Sequence, residues 1–304
     1  SGFRAMKTDK GVAWTMKTQA FPYARIAHGT YEIGEFDCAS IFVLIGDERA
    51  MVIDTGIGIG DLKGFIRKLT DKPLMVCYTH NHADHVGGAG AFDNGHIHPK
   101  DMAAFSTGGG IGLSVEGRMG YVKYIAEREK GTYPYDLAVD ITEWGPPPAL
   151  YPLEDGQEID LGHRKVTVFE CPGHTAGSIC FLDENSRSLF VGDACNCNLG
   201  LGGGAPGTPN FTSIEKALGY LKRLHGMRER YDGYYNGHYD YRRLGRSLGD
   251  DVLPDAITAC EQIVAGTAVV EVKAARLPNA PIRSIVTVGR TMVSFNPEGV
   301  REAR

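Results

Sequence analysis

The sequence predicts an α+β fold in which helices cover the outer faces of two packed sheets. Two stretches of the chain support this, because each combines several short apolar strands with a helical segment. The first stretch has strands near residues 24–28, 41–45, 50–54 and 73–78 and a helix over 61–69. The second has strands near 164–170, 178–182 and 187–192 and a helix over 213–225. Metal-competent side chains follow several of these strands directly, which predicts a site at one edge of the sheets.

The helix over 213–225 is the most regular of these elements. Thr212 or Ser213 is available as its N-cap. Its apolar residues recur at spacings of three and four and form one face: Ile214, Ala217, Leu218, Leu221 and Leu224. Beyond it the chain predicts a helix from residue 250 to about 265, a strand near 268–272, and a hairpin formed by 284–288 and 291–295. We expect this hairpin to complete the second sheet.

Two segments fall outside the repeated order of elements. Residues 101–150 contain three consecutive glycines, a helix-like stretch near 121–130 and a proline run that stops any helix. Residues 198–211 are rich in glycine and come soon after Asp193. We therefore expect one domain over residues 1–304 with insertions at about 101–150 and 198–211. These insertions either shape a substrate site or are surface excursions.

The composition is that of a globular chain without a strong charge bias. Its 304 residues are 42% hydrophobic and carry a formal net charge of −5, enough to bury a large core. The sequence contains no run of 18 or more apolar residues, so it predicts no membrane span. The acidic balance argues against a nucleic-acid partner. We expect a small-molecule substrate and leave the oligomeric state open. The start, 1–5, resembles a remnant of an expression tag ahead of a native Met6.

The seven cysteines do not form the pattern of a disulfide framework. Several, such as Cys77 and Cys180, lie in apolar strand patterns, which is typical of small buried thiols. A reduced, cytoplasmic setting fits this usage best. Cys195 and Cys197 follow Asp193 closely. They could line a pocket wall, or one could serve as a thiolate ligand or in redox chemistry.

The most informative motif is the run from His80 to His85, with four metal-competent side chains: His80, His82, Asp84 and His85. A strand cannot aim successive side chains at one point, because they alternate between its two faces. A tight loop at the end of a strand can do so, and an apolar strand precedes this run. Imidazoles with a carboxylate suit zinc and its neighbours in the first transition row. The run therefore predicts the nucleus of a metal site.

Three further positions could complete such a site: His174, Asp193 and His238. Each comes shortly after an apolar strand and next to small residues. Repeated placement of a donor beyond a strand end suggests that several strands deliver ligands to one edge. A neighbouring glycine lets the backbone approach a metal without a Cβ clash.

In this order and spacing, the residues resemble the metallo-β-lactamase superfamily, over about residues 24–240. The resemblance rests on His-x-His-x-Asp-His at 80–85, then His174, Asp193 and His238, with Asp54 upstream. It implies a four-layer αββα sandwich and a site for two zinc ions, with iron or manganese as alternatives. By this resemblance His80, His82 and His174 hold one metal, Asp84, His85 and His238 hold the second, and Asp193 bridges them. Asp54 would orient the ligand loop, or simply end a strand in a turn.

The resemblance also implies the hydrolysis of an activated acyl bond: a thioester, an ester or a lactone. Two metals would lower the pKa of a shared water from about 15.7 toward about 7, and Asp84 would act as a catalytic residue on that water. A bridging Asp193 argues against a β-lactam hydrolase, since members with that activity generally lack it. A mono-iron persulfide dioxygenase and a phosphodiesterase of the same superfamily remain alternatives. A diiron reductase would carry Glu in place of His82, and a metal-free binding module would not need seven ligands.

Several other side chains could serve such a site. A glutathione-type substrate calls for cations, for which Arg242, Arg243 and Lys123 are candidates. Tyr235 and Tyr239 flank His238, where a hydroxyl could bind a developing oxyanion. His96 and His98 would share one face of a strand and could support the ligands from behind. Surface or turn positions are the simpler interpretation of both histidines.

Overall fold

The first half of the chain forms a seven-stranded sheet with helices on one side. The computed structural model describes residues 17–110, 112–202, 206–273 and 283–302. The strands of this sheet are β1 (Tyr23–Ala27), β2 (Thr30–Gly34), β3 (Ser40–Ile45), β4 (Ala50–Ile53), β5 (Leu74–Cys77), β6 (Asn94–Ile97) and β7 (Ala149–Pro152), in that spatial order. β1 to β4 are antiparallel and β4 to β7 are parallel. The helices between them are α1 (Leu62–Leu69), α2 (Ala83–Val86), α3 (Pro99–Met102), α4 (Val115–Glu129) and α5 (Leu137–Asp140).

The second half of the chain forms two further sheets. Its strands are β8 (Glu158–Asp160), β9 (Lys165–Glu170), β10 (Ile179–Asp183), β11 (Ser188–Gly192), β12 (Asn198–Gly200), β13 (Gly233–Asn236), β14 (Glu271–Lys273), β15 (Arg283–Val288) and β16 (Thr291–Phe295). The second sheet has the order β13-β11-β10-β9-β8, and the third has the order β12-β16-β15-β14. Helices α6 (Ile214–Gly226) and α7 (Val252–Ala265) pack against each other.

Three buried clusters show how these layers are stacked. Phe42, Leu44 and Ile53 of the first sheet meet Val168 and Phe181 of the second, so the two sheets pack face to face. A second cluster joins the other face of the first sheet to α1 and α4. A third joins the other face of the second sheet to α6, α7 and the third sheet. The four layers are therefore helix, sheet, sheet and helix, which confirms the predicted αββα sandwich.

Most predicted elements lie within a few residues of their expected positions. Ser213 caps α6, because its side chain accepts a hydrogen bond from the backbone amide of Lys216, and the predicted apolar residues of that helix are buried. The helix predicted near 121–130 begins earlier, at Val115, after its cap Ser114. β2 was not predicted.

The prediction that the C-terminal hairpin completes the second sheet was wrong. The hairpin, β15 and β16, packs against α7. Its partner strand is β12, which runs parallel to β16. The segment after Asp193 is thus partly a strand of the third sheet. The segment 101–150 carries α4 and α5 and contributes Val122 and Ile125 to the core. The division into one domain with two insertions stays a prediction.

Within the described ranges, no helix is both long enough and apolar enough to cross a membrane. All seven cysteines are free thiols, and each except the half-buried Cys197 is buried.

Candidate metal centre

The seven side chains predicted as metal ligands come together where strands of both sheets end. β5 leads into the loop with His80 and His82 and then into α2, which carries Asp84 and His85. His174 follows β9, Asp193 follows β11 and His238 follows β13. Strands β9, β11 and β13 run in the same direction, because β10 is antiparallel to both β9 and β11, and β11 is parallel to β13. Their ends therefore lie at one edge, where residues far apart in sequence meet.

Their donor atoms form three overlapping groups. Two of them match the predicted division, and the third, formed by His80, His85 and Asp193, shares one histidine with each of the other two. His80, His82 and His174 form one group, and Asp84, His85 and His238 form another. Within each group the donor atoms lie within 4.8 Å of one another. Nε2 of His174 lies 2.9 Å from Nδ1 of His82, and Nε2 of His238 lies 3.6 Å from Oδ2 of Asp84. Each group could therefore surround one ion.

Asp193 lies between the two groups. Its Oδ2 is 3.7 Å from Nε2 of His174 and 3.3 Å from Nε2 of His238. Its Oδ1 is 3.6 Å from Nε2 of His85. One carboxylate therefore faces histidines of both groups, which is the position that a bridging ligand needs.

The outer ring nitrogens of three histidines are held by protein atoms. Nδ1 of His80 lies 3.0 Å from the Thr79 hydroxyl, which itself donates to Asp54 and so accepts from the ring. Nδ1 of His174 lies 3.0 Å from the Gly200 carbonyl, and Nδ1 of His85 lies 2.9 Å from Oδ2 of Asp54. Such contacts orient each ring so that Nε2 is the atom that faces the centre and can bind a metal.

Several inward-facing atoms are buried without any hydrogen-bond partner among the described residues. They are Nε2 of His80, Nε2 of His85 and Oδ1 of Asp193. Buried polar atoms are rarely left unpaired, because each one costs about 1–3 kcal/mol. Bound cations would satisfy all three atoms. The residues present therefore fit a pair of divalent metals.

The backbone at Gly237 also leaves room for the site. A Cβ at this position would lie 2.5 Å from Cε1 of His85 and 2.7 Å from Oδ1 of Asp193. Any larger residue would push into the ligands, so the glycine before His238 lets β13 approach the centre closely.

Two rings of the three-histidine group, those of His80 and His82, are held in their neutral form. Burial lowers the pKa of His80 well below its usual range, and neighbouring histidines lower it further. Burial, followed by the nearby His174, lowers the pKa of His82 to about 3. Neutral imidazole is the form that binds a metal, so the environment prepares these rings as ligands.

The second group attracts positive charge. Burial alone would lower the pKa of His85, but Asp84, Asp193 and Asp54 outweigh it and raise the pKa to about 10. At His238 burial is likewise outweighed by Asp193 and Asp84, which raise the pKa to about 9. A cation bound among these carboxylates would supply the charge that the protons otherwise bring.

Asp54 supports the second group from behind. Its Oδ2 faces Nδ1 of His85, and its Oδ1 accepts a 2.7 Å hydrogen bond from the Thr79 amide. Its backbone has a φ of +60°, unusual for a residue other than glycine. Asp54 therefore orients a ligand ring, which favours the first of the two interpretations of this residue.

Two supporting residues were not predicted from the sequence. The Tyr121 hydroxyl, on α4, donates a 2.6 Å hydrogen bond to Oδ2 of Asp84. Asp101, buried on α3, accepts hydrogen bonds from the amides of Asn81 and Gly177 and from the Thr175 hydroxyl. Asp101 thus joins the two loops that carry the three-histidine group. No local motif marks either residue.

Comparison with known proteins identifies the family. The family model for the metallo-beta-lactamase superfamily matches residues 33–238, about two thirds of the chain. The chain belongs to this superfamily. The predicted resemblance is therefore confirmed, and so is the expectation of divalent metal binding at the level of the family.

Curated relatives in the superfamily include two kinds of thioester hydrolase. The chain is 32% identical to the acyl-coenzyme A thioesterase MBLAC2 of Homo sapiens over 177 residues, which is 54% of this chain and 60% of the relative. It is 26% identical to a hydroxyacylglutathione hydrolase of Bdellovibrio bacteriovorus over 191 residues, 62% of this chain and 60% of the relative. The chain thus spans about three fifths of the length of these relatives.

Solved structures of the superfamily share the fold. A metallo-beta-lactamase from Pontibacter korlensis matches 80% of this chain and 99% of its own with a TM-score of 0.54 at 13% identity. A metallo-beta-lactamase family protein from Thermus thermophilus matches 79% of this chain and 82% of its own with a TM-score of 0.53 at 18% identity. At these identities the likeness concerns the fold alone.

The tyrosines and histidines that the sequence offered as further candidates for the site contact other parts of the protein. Tyr235 is buried between the two sheets, and the Tyr239 hydroxyl accepts a 2.6 Å hydrogen bond from the Asp37 amide. His96 lies 3.1 Å from the Val76 carbonyl. His98 is buried at the N-cap of α3, 3.0 Å from Glu170, so it is a turn residue and not a surface residue. Neither histidine belongs to a candidate metal group among the described residues.

The arginines that follow His238 differ in their exposure to solvent. The Arg242 side chain is buried and pairs with the buried Glu32 at 2.7 Å, so it is unavailable to a substrate. Arg243 and Lys123 are exposed. Cys195 is buried in the second-half core, and no candidate metal group of the described residues includes a cysteine. The role of Cys195 as a thiolate ligand therefore has no support.

Proposed function

We propose that this chain is a dinuclear metal-dependent hydrolase that cleaves an activated acyl bond of a small molecule, with a thioester as the first candidate. The observation that carries the proposal is the position of Asp193 between two groups of metal-competent side chains. The curated relatives, an acyl-coenzyme A thioesterase and a hydroxyacylglutathione hydrolase, support the choice of a thioester over a lactone or a β-lactam.

The roles of the seven ligands follow from their grouping. His80, His82 and His174 would hold one ion, which we expect to be zinc. Asp84, His85 and His238 would hold the second ion, and Asp193 would contact both. Iron or manganese would suit the same donors. The seven free cysteines support a reducing setting such as the cytoplasm.

Such a site supplies a nucleophile at neutral pH, because paired divalent cations lower the pKa of water from about 15.7 toward about 7. Asp84 is the proposed catalytic residue. Its Oδ2 already accepts the Tyr121 hydroxyl, so Oδ1 is left to orient the attacking water and to accept its proton. Attack at the acyl carbon would break the carbon–sulfur bond, and the leaving thiolate would take the proton held by Asp84. The products are a carboxylic acid and a thiol.

The test compares the zinc-loaded protein with its Asp193→Ala variant. Both are incubated with one mixture of a glutathione thioester, an acyl-coenzyme A, an acyl-homoserine lactone, a β-lactam and a phosphodiester, and the products of water addition are read by mass spectrometry. We expect thioester cleavage by the wild type and loss of it in the variant. Asp232→Ala, at an exposed carboxylate paired with Arg187, is the control and should keep full activity.

Two results would contradict this proposal. Selective cleavage of the lactone, the β-lactam or the phosphodiester would reassign the substrate. Native mass spectrometry that finds one metal per chain at saturation would exclude the dinuclear site and favour one-metal chemistry such as that of a persulfide dioxygenase.

A further inference from the structure

The third sheet has two faces of different character. Leu199, Val286 and Val293 point into the core of the second half. The alternate residues along the same strands are half-buried, except the exposed Thr287, and the register places them on the opposite face. We call this the open face of the third sheet, and it is formed by Asn198, Gly200, Arg283, Ile285, Met292 and Ser294.

The strand at one side of this sheet, β12, touches the metal centre at two points. At one end the Gly200 carbonyl lies 3.0 Å from Nδ1 of His174. At the other end the Asn198 amide group donates a 3.2 Å hydrogen bond to the Tyr241 hydroxyl. The Tyr241 ring lies edge-on to the ring of His238, with centroids 6.4 Å apart. β12 therefore spans from a histidine of the first group to a histidine of the second.

Gly200 leaves a gap between the open face and the metal centre. A Cβ on Gly200 would lie 3.3 Å from Nη1 of Arg283, 3.7 Å from Oγ of Ser294 and 3.8 Å from Nδ1 of His174. The guanidinium of Arg283 thus reaches across β16 to Gly200, and it lies on the side of β12 that also faces the His174 ring. This places a cation of the C-terminal hairpin beside the candidate site.

The charge of Arg283 is not balanced by the protein. Its guanidinium donates one long hydrogen bond, of 3.4 Å, to the Leu201 carbonyl. No carboxylate in the described part of the chain forms an ion pair with it, and burial lowers its pKa. Among the arginines whose side chains are buried, Arg242 pairs with Glu32 at 2.7 Å and Arg164 with Asp183 at 2.6 Å. The buried Arg118 has no ion pair among the described residues, but it donates hydrogen bonds to the carbonyls of Leu113 and Thr142. A half-buried cation without a counter-ion is costly, and a bound anion would remove that cost.

We propose that Arg283 binds the anionic part of the thiol half of the substrate, while the acyl group lies over the metal centre. The proposal rests on the function proposed above. A guanidinium can bind either a carboxylate or a phosphate through two parallel hydrogen bonds. Arg283 lies outside residues 33–238, the part that matches the family model. It is therefore a specificity residue of this chain supplied by the third sheet.

The test separates binding of the anion from catalysis. One acyl group is presented on glutathione, which carries carboxylates, on coenzyme A, which carries phosphates, and on N-acetylcysteamine, which is neutral. For Arg283→Gln we expect KM to rise about 10- to 100-fold for at least one anionic thioester, the effect of losing a charged hydrogen bond. The kcat values and the KM for the neutral thioester should stay unchanged. Arg283→Lys should restore part of the binding.

Arg290→Gln is the matched control, because Arg290 lies on the turn of the same hairpin and is half-exposed in an ion pair with Asp251. It should leave every KM unchanged. The pattern of KM changes would identify the source of the anion, since a change for glutathione alone indicates a carboxylate and a change for coenzyme A alone indicates a phosphate.

Calorimetric titration with glutathione and with coenzyme A, without any acyl group, gives a second readout. We expect the wild type to bind one of these thiols and Arg283→Gln to bind it at least about 10-fold more weakly. If the wild type cleaves no thioester, the proposed function fails, whereas the titration still tests the anion site. Two outcomes would overturn the role of Arg283. In the first, Arg283→Gln and Arg283→Lys both lose as much activity toward the neutral thioester as toward the anionic ones. In the second, Arg283→Gln changes neither KM nor thiol binding.

Discussion

The Tyr121 hydroxyl donates a 2.6 Å hydrogen bond to Oδ2 of Asp84. The donor stands on α4, in the segment between residues 101 and 150, and the acceptor belongs to the candidate metal centre. Hydrogen bonds to a carboxylate are short and strong, and they restrict its rotation. The segment 101–150 thereby fixes the orientation of the proposed catalytic residue.

Replacing Tyr121 with Phe removes this hydrogen bond and keeps the ring. We expect kcat for the thioester to fall about 10-fold, the effect of about 1.4 kcal/mol, with two metals still bound. Tyr124→Phe is the control, because Tyr124 lies on the same helix and its hydroxyl has no hydrogen-bond partner among the described residues. Equal losses in both variants, or loss of a metal in Tyr121→Phe, would contradict a role in positioning Asp84.

The contacts of Asp54 predict that its substitution weakens the binding of one metal more than that of the other. In Asp54→Asn an amide takes the place of the carboxylate that faces Nδ1 of His85 and the Thr79 hydroxyl. Loss of such support weakens metal binding by about 10- to 100-fold. Chelator competition followed by mass spectrometry should show that one of the two metals leaves first. Asp71→Asn, at an exposed position, should behave like the wild type, and so should Asp54→Asn if the aspartate merely ends a strand.

The contacts of Asp101 predict that its substitution lowers the stability of the fold and weakens metal binding by the three-histidine group. Its carboxylate accepts from three donors on two loops. An Asn side chain would turn an amide group toward one of these donors. We expect Asp101→Asn to lower the free energy of unfolding by about 1–3 kcal/mol, measured in urea, and to weaken binding of one metal.

The exposed Asp93→Asn serves as the control for Asp101. A stability loss without any change in metal binding would show that Asp101 supports the fold but not the ligand loops.

The buried Glu35 predicts a pH dependence of stability. Both oxygens accept backbone hydrogen bonds, at 2.5 Å from Ile57 and at 2.8 Å from Gly58 and from Ile59. Burial outweighs these bonds and raises the pKa of Glu35 from 4.5 to about 8. The folded state then keeps a proton that the unfolded chain releases. This contribution to stability is complete below pH 4.5 and is lost as the pH rises through about 8.

Urea unfolding of the chelator-treated protein at several pH values between about 4.5 and about 8 measures this loss. Glu35→Gln is neutral throughout, so it should lack the fall in stability that the wild type shows. If the two proteins lose stability in parallel, Glu35 is ionised in the fold and other groups cause the dependence.

The residues that the sequence could predict share one property, which is that their role is visible in a few neighbouring positions. An apolar strand followed by a loop with a metal donor was enough to find His80, His174, Asp193 and His238, because a strand end delivers its next residues to the sheet edge. The helix α6 was equally clear from the spacing of its apolar residues and its cap.

Tertiary structure alone decided the support around the ligands. Tyr121 lies 37 positions from Asp84, and Asp101 lies 74 positions from Thr175. Contacts over such distances depend on how α3 and α4 dock, which no local pattern encodes. Packing also decided the contacts of the arginines. Arg242, in the loop after His238, is neutralised by Glu32 of β2. Arg283 is brought to Gly200 by the pairing of β12 with the C-terminal hairpin. Local chemistry determined which side chains could bind a metal, and packing determined which charges remained free to meet a substrate.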